Sequence, residues 1–268
     1  MRKSFFLLSI LFLINCKQNA DTEELSEDFE PNVDWETAAD DEPQTIEIVS
    51  SDSKSPKDFI PQGWKLILEK DGDLNKDGLA DKVMIIEENN PSNLKSNEGL
   101  GTDMLNLNPR NLLVLFQKPD ATYTLAAQNS RGFIPPENSD LSVCLIDPLM
   151  DNGGIDISKN ILKIDFHYWL SCGSWYVNHA TYTFRFQNNR FQLIGFDHYE
   201  FHRSSGEENS TSINFSTKKM SNTTGDNMFD DKESNPTTTW TTLKNSKLYN
   251  LEECSDTTYF EILDIKRS

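Results

Sequence analysis

A chain of 268 residues carries 43 acidic against 25 basic side chains, a formal net charge of −18, with 36% hydrophobic residues and four cysteines. So acidic a chain repels DNA, RNA and anionic lipid headgroups, which argues against nucleic acid as a partner. The apolar content suffices for one domain with a real core, and no fixed-period repeat points to a solenoid or a multi-bladed propeller.

At the N-terminus, Arg2 and Lys3 precede a mostly apolar run from Phe5 to Ile14, followed by Asn15 and Cys16. An apolar helix of about 10 residues spans roughly 15 Å, half a bilayer core, so the run reads as a secretory signal and not a membrane span. Leu13-Ile14-Asn15-Cys16 resembles the lipobox of bacterial lipoproteins, in a form associated with spirochaetes and some other Gram-negative groups. The resemblance implies removal of residues 1–15 and lipidation of Cys16. Several acyl chains on one residue anchor almost permanently. Lys17 lacks the acidic signal that retains some lipoproteins in the inner membrane, so the expected location is the outer membrane, facing the periplasm or the surface.

Residues 16–59 are expected to form the lipidated cysteine and a disordered acidic tether. From 21 to 59, 14 acidic side chains stand against two lysines. Such a segment has too little apolar surface to fold alone. Residues 60–268 remain as a single globular domain.

Near its start, the stretch from Gly72 to Glu88 reads GDLNKDGLADKVMIIEE. Asp73, Asn75, Asp77 and Asp81 take positions 1, 3, 5 and 9 of an oxygen-rich loop. Gly78 stands at the turn and Leu79 is placed to offer its carbonyl. That pattern suits a hard cation of six to eight oxygen ligands, and calcium is the expected cofactor. Met84 occupies the position where an EF-hand needs its bidentate glutamate, so the loop is not an EF-hand. It resembles the calcium loops of FG-GAP and integrin-type repeats. The resemblance covers about fifteen residues in a single copy, so it implies the ion and not the propeller.

The rest of the domain alternates with period two. Leu162, Ile164, Phe166, Tyr168 and Leu170 fall on one face of a strand, with Lys163, Asp165 and His167 on the other. Lys159-Asn160 and Asn188-Asn189 read as two-residue hairpin turns, and Lys118–Ala121 as another. Residues 89–108 and 217–239 read as long polar loops, and TYFEILDI near the C-terminus as a strand. The stretch from Pro61 to Lys70 is the strongest helix candidate. The expected fold is mainly β: an antiparallel meander forming a sandwich or curved sheet.

His198, Glu200 and His202 alternate in DHYEFH, so a strand would set them on one face within reach of zinc chemistry. His167 and His179 stand isolated in sequence and read as structural. SCGSW, Ser171 to Trp175, compares with the catalytic segment of papain-like proteases but lacks the second cysteine, which is that family's nucleophile. Among the cysteines, Cys16 is taken by lipid, so at most one intramolecular bridge forms. The Lys159-Asn160 hairpin places Cys172 opposite Asp147, and a bend at Pro148 and Gly153-Gly154 would bring it to Cys144. A Cys172–Cys254 pair and three free thiols remain open alternatives. No nucleophile elbow, phosphate loop or dinucleotide fingerprint appears. The favoured class is therefore a non-catalytic, lipid-anchored binding or scaffold module for a protein or carbohydrate ligand. The alternatives are an envelope hydrolase and an inhibitor or immunity protein.

Overall fold

The computed structural model describes residues 52–230, 235–244 and 247–267. Cys16, the signal and most of the expected tether lie outside the described residues. The strands, in chain order, are β1 (Asp52–Ser53), β2 (Trp64–Gly72), β3 (Asp81–Glu88), β4 (Leu94–Ser96), β5 (Met104–Asn106), β6 (Arg110–Gln117), β7 (Tyr123–Asn129), β8 (Gly154–Ser158), β9 (Ile161–Trp169), β10 (Tyr176–Gln187), β11 (Arg190–His202), β12 (Glu207–Asn214), β13 (Lys219–Asn227) and β14 (Thr237–Thr242). One helix, α1 (Thr258–Arg267), follows. The fold is mainly β, in antiparallel sheets of five, seven and two strands that do not close into a barrel. The five-stranded sheet has the order β1-β7-β6-β3-β2, and β8 to β14 form an unbroken meander.

Turn chemistry sets the meander. Lys159 and Asn160 have φ of 52° and 59°, Asn188 and Asn189 of 54° and 58°, the left-handed pairs that a two-residue hairpin demands. The resulting register puts Leu162, Ile164 and Phe166 of β9 beside Ala180 and Tyr182 of β10 on one face. These pack in a single core with Val83 and Ile85 of β3 and Leu112 and Val114 of β6. The two large sheets are therefore layered about one core. Phe133 seals it, edge-on to Phe166, Tyr182 and Phe184 at centroid distances of 5.6, 5.0 and 5.9 Å.

The five-stranded sheet is covered on its other face too. Phe59 packs there with Met84, Ile86, Leu113 and Leu115. This explains why Val83 to Ile86 are all buried without alternation. It also moves the start of the fold upstream of residue 60. Asp52 and Ser53 pair with β7, and a 3₁₀ turn at Pro56–Phe59 carries the buried Phe59. Replacing such a phenylalanine by alanine costs roughly 3–5 kcal/mol, so residues 52–59 belong to the domain and not to a tether.

Three further expectations are corrected. The stretch from Pro61 to Lys70 is strand β2, because Trp64 and Leu66 alternate toward the Phe59 layer and a bulge between Leu66 and Leu68 turns the strand. Residues 217–239 contain β13 and the start of β14, whose Ser, Asn and Thr side chains form strand faces open to water. Residues 258–267 form helix α1 and not a strand. Thr257 flanks the first turn, its carbonyl accepting from Glu261 N–H and its hydroxyl donating to the Glu261 carboxylate, and Tyr259, Ile262 and Leu263 present one helical stripe to the core. Residues 89–108 are mostly loop but include the short β4–β5 pair.

Cys144 and Cys172 form a disulfide with a Cα–Cα distance of 5.5 Å. β8 and β9 keep the hairpin register, Gly154 opposite Asp165. Beyond it the pairing jumps: Pro148 O accepts from His167 N–H, Ile146 N–H donates to Trp169 O, and Leu145 bridges Leu170. Four residues are thereby looped out. Gly153 permits this tight excursion, since a Cβ there would lie 2.4 Å from Pro148 O and 2.6 Å from Asp165 O. The shift brings Cys144, whose carbonyl accepts from Ser171 N–H at 2.8 Å, beside Cys172. Cys254 stays reduced and buried.

Candidate functional site

The acidic loop joins β2 to β3 as a hairpin connection. Asp81 is fully buried, accepting from Leu74 N–H at 2.8 Å and Gln117 N–H at 3.1 Å. Burial raises its carboxyl pKa, and those two backbone bonds pull the other way. Asp73 accepts from Lys76 and Gly78 N–H, Asn75 Oδ1 from Asp77 N–H, and Asp77 Oδ1 from Leu79 N–H. Lys76 and Gly78 take φ of 71° and 83°, so the chain coils around its own polar side chains. Among the described residues, no three His, Cys, Asp or Glu side chains meet as a ready-made metal cluster. The donor set still fits a hard cation by chemistry: it is all oxygen, and an oxygen that accepts one N–H keeps a second lone pair.

His198, Glu200 and His202 share a face of β11 but do not converge. Positions four apart on a strand lie roughly 13 Å from each other, too far for two side chains to ligate one ion. His198 is buried and its Nε2 lies 3.0 Å from the Tyr259 hydroxyl, fastening α1 to the sheet. His202 Nδ1 meets Ser205 N and Oγ at 3.0 Å. Cys172 is oxidised in the disulfide and is therefore no nucleophile.

A cleft of about 550 Å³ lies beside that disulfide and is lined by Leu100, Glu137, Asn138, Val143, Asp147 and Cys172, among others. Its carboxylates already hold the structure together. Asp147 is bound by both Arg110 terminal nitrogens at 2.8 and 2.7 Å, and Glu137 accepts from Asn106 at 2.9 Å. Behind it, Arg110 Nε donates to Glu87 at 2.8 Å, both side chains 2% exposed. Burial pushes the Glu87 carboxyl up, but bonds from Lys65, Arg110 and Asn106 outweigh it and leave the pKa below its ordinary value. This network ties β3 and β6 to the segment that carries Cys144. Sequence reading missed it because the partners are 23 and 37 residues apart.

The outer face of the seven-stranded sheet is different. Here the register aligns two rows across six strands. One runs Asp165, Thr181, Asp197, Ser212, Ser221 and Trp240; the other runs His167, His179, Tyr199, Ser210, Thr223 and Thr238. With adjacent strands roughly 4.8 Å apart, the rows extend about 24 Å. Five rings form a continuous ladder at one end. Trp169 stacks near His167, His167 on His179 at 4.3 Å, His179 near Tyr199, and Tyr199 near Phe201. His167 and His179, isolated in sequence, are thus direct cross-strand partners. Burial, together with the adjacent His167, lowers the His179 pKa. His167 is also held from behind: its Nδ1 lies 2.9 Å from Asp151 O, in the looped-out segment. Thr181 and Ser212 donate to Asp165 and Asp197, each at 2.5 Å. A shallow groove of about 200 Å³ opens among His179, Thr181, Asp197, Tyr199, Ser210 and Ser212. At the far end Trp240 is 71% exposed. The alternation of His167 with Asp165 on β9 was the one sequence signal for this face.

The chain matches no family model, no curated protein and no solved structure.

Proposed function

We propose that this chain is a lipid-anchored, non-catalytic binding module of the bacterial outer membrane, and that the outer face of β9 to β14 is its binding surface. The observation that carries the reading is the aligned pair of rows: hydroxyls, two carboxylates and the rings of His179, Tyr199 and Trp240 partly or fully open to water across six strands, with a groove among them. Exposed aromatic rings with adaptable polar neighbours are the composition of recognition surfaces. By contrast, the acids of the larger cleft are engaged in holding the fold. The anchor rests on the LINC box at Cys16. Calcium, held by Asp73, Asn75, Asp77, Asp81 and the Leu79 carbonyl, would stiffen the β2–β3 hairpin and take no part in recognition.

Hydroxyl-radical footprinting of the chain, with and without its native envelope preparation, tests the surface. Protection concentrated on Trp169, Tyr199 and Trp240 is expected. Protection confined to other residues overturns the reading. Labelled palmitate tests the anchor: Cys16→Ser should lose both label and membrane association.

A further inference from the structure

We infer that the two outer-face rows bind a segment of neutral polysaccharide laid across the strands. The inference rests on the binding-face reading above and adds the chemical class of the ligand.

The first argument is the donor and acceptor inventory. The rows hold seven hydroxyls, from Thr181, Tyr199, Ser210, Ser212, Ser221, Thr223 and Thr238, against two carboxylates, Asp165 and Asp197. Hydroxyls both donate and accept, and carboxylates accept only. Thr181, Ser212, Tyr199 and the Thr223–Thr238 pair already hold one bond each, to Asp165, Asp197, Glu208 and one another. A hydroxyl so engaged keeps capacity for a further bond. A hydroxyl-rich ligand can both donate to and accept from such a lining, whereas a polycation can only donate to it. The second argument is charge. Neither row contains a lysine or arginine. The adjoining row of the same face holds Lys163 on β9 and Lys219 on β13, four strands apart and the latter donating to Thr242. No cationic cluster therefore faces the track, and the net charge of −18 repels polyanions at longer range.

The third argument is shape. A pyranose ring offers a face of C–H bonds made electropositive by neighbouring oxygens, which fits the negative face of an aromatic ring. Its edge carries hydroxyls that reach the side chains around. The ring ladder at Tyr199 and His179 and the lone Trp240 lie at opposite ends of the rows, with hydroxyl side chains between them. A track of about 24 Å accommodates several linked rings, so affinity should grow with chain length.

The test titrates the full chain with four neutral hexasaccharides (cello-, chito-, manno- and maltohexaose). Polygalacturonate and hexalysine serve as comparators. Binding is followed by tryptophan fluorescence and calorimetry. At least one hexasaccharide should bind, more tightly than its own disaccharide. Asp197→Ala and Trp240→Ala, both at exposed positions, should each weaken it about fivefold or more with an unchanged melting temperature. No binding by any of the four, or binding indifferent to both variants, overturns the inference. So does hexalysine or polygalacturonate binding in preference to all four. If the envelope footprint still covers Tyr199 and Trp240 in that case, the binding-face reading stands and only the ligand class falls.

Discussion

The two large sheets share one core yet treat their other faces in opposite ways. The five-stranded sheet buries both faces. Met84, Ile86, Leu113 and Leu115 lie under Phe59, and two of its charges, Glu87 and Arg110, are 2% exposed at the side chain. The seven-stranded sheet buries one face and gives the other to water, rings and hydroxyls. The difference teaches where this protein holds its stability and where it leaves side chains open to water. A charge inside the covered sheet must be paired and hydrogen-bonded, or it destabilises the fold. A water-exposed side chain on the open face, such as Trp240, is nearly neutral for stability.

The sharpest way to break this contrast is Arg110→Ala. It leaves Asp147 without its cation and Glu87 with Lys65 as its remaining cation, and a loss of roughly 3–5 kcal/mol is expected in urea unfolding. A loss under about 1 kcal/mol would show that the network is not structural. Next comes the Cys144→Ser, Cys172→Ser double variant. The sequence separation of 28 closes a loop whose release should cost about 3.5 kcal/mol in the chain-entropy model. The bend it secures holds Asp151 against His167, so the variant should also raise exchange of outer-face amides on β9.

Calcium should act on the β2–β3 hairpin alone. At about 100 times its dissociation constant, a ligand bound only by the folded state adds roughly 2.7 kcal/mol. Melting with excess calcium against chelator should show a rise of several degrees that vanishes in Asp77→Ala. No rise at millimolar calcium removes the ion from the account.

Acid should separate the two sheets in order. His179 has a folded pKa below its ordinary 6.5, so the unfolded chain takes up its proton first and stability begins to fall as pH drops below that value. Glu87 is depressed below 4.5. Its contribution is intact above that pH and is lost as pH falls through the lower folded value. Urea midpoints measured from pH 7.5 to 3 should therefore fall in two stages. His179→Gln should flatten the upper stage and Glu87→Gln the lower. The smallest stability effect is expected on the open face, where Trp240→Ala should shift stability by no more than about 0.5 kcal/mol.

Period-two alternation and turn residues determined most of the meander from sequence. Lys159-Asn160 and Asn188-Asn189 can be read as hairpins because left-handed φ pairs have local residue requirements. The disulfide partners were within reach of that register, but the size of the bend was not. Looping out four residues depends on Gly153 lying against two carbonyls that only the folded chain brings near. Helix α1 was signalled locally by Thr257 and Glu261 at its first turn, and the apolar and aromatic content of TYFEILDI masked it. Residues 52–59 looked like tether because a single Phe59 shows no periodicity; its burial is decided by a sheet face built from residues 84–115. The acidic loop was legible as a polar turn because its side-chain oxygens fall within nine positions of one segment. The open outer face of the seven-stranded sheet was not. His167, His179 and Tyr199 come from three strands, and only cross-strand register, which accumulates through every turn and bulge between them, sets their rings in one ladder.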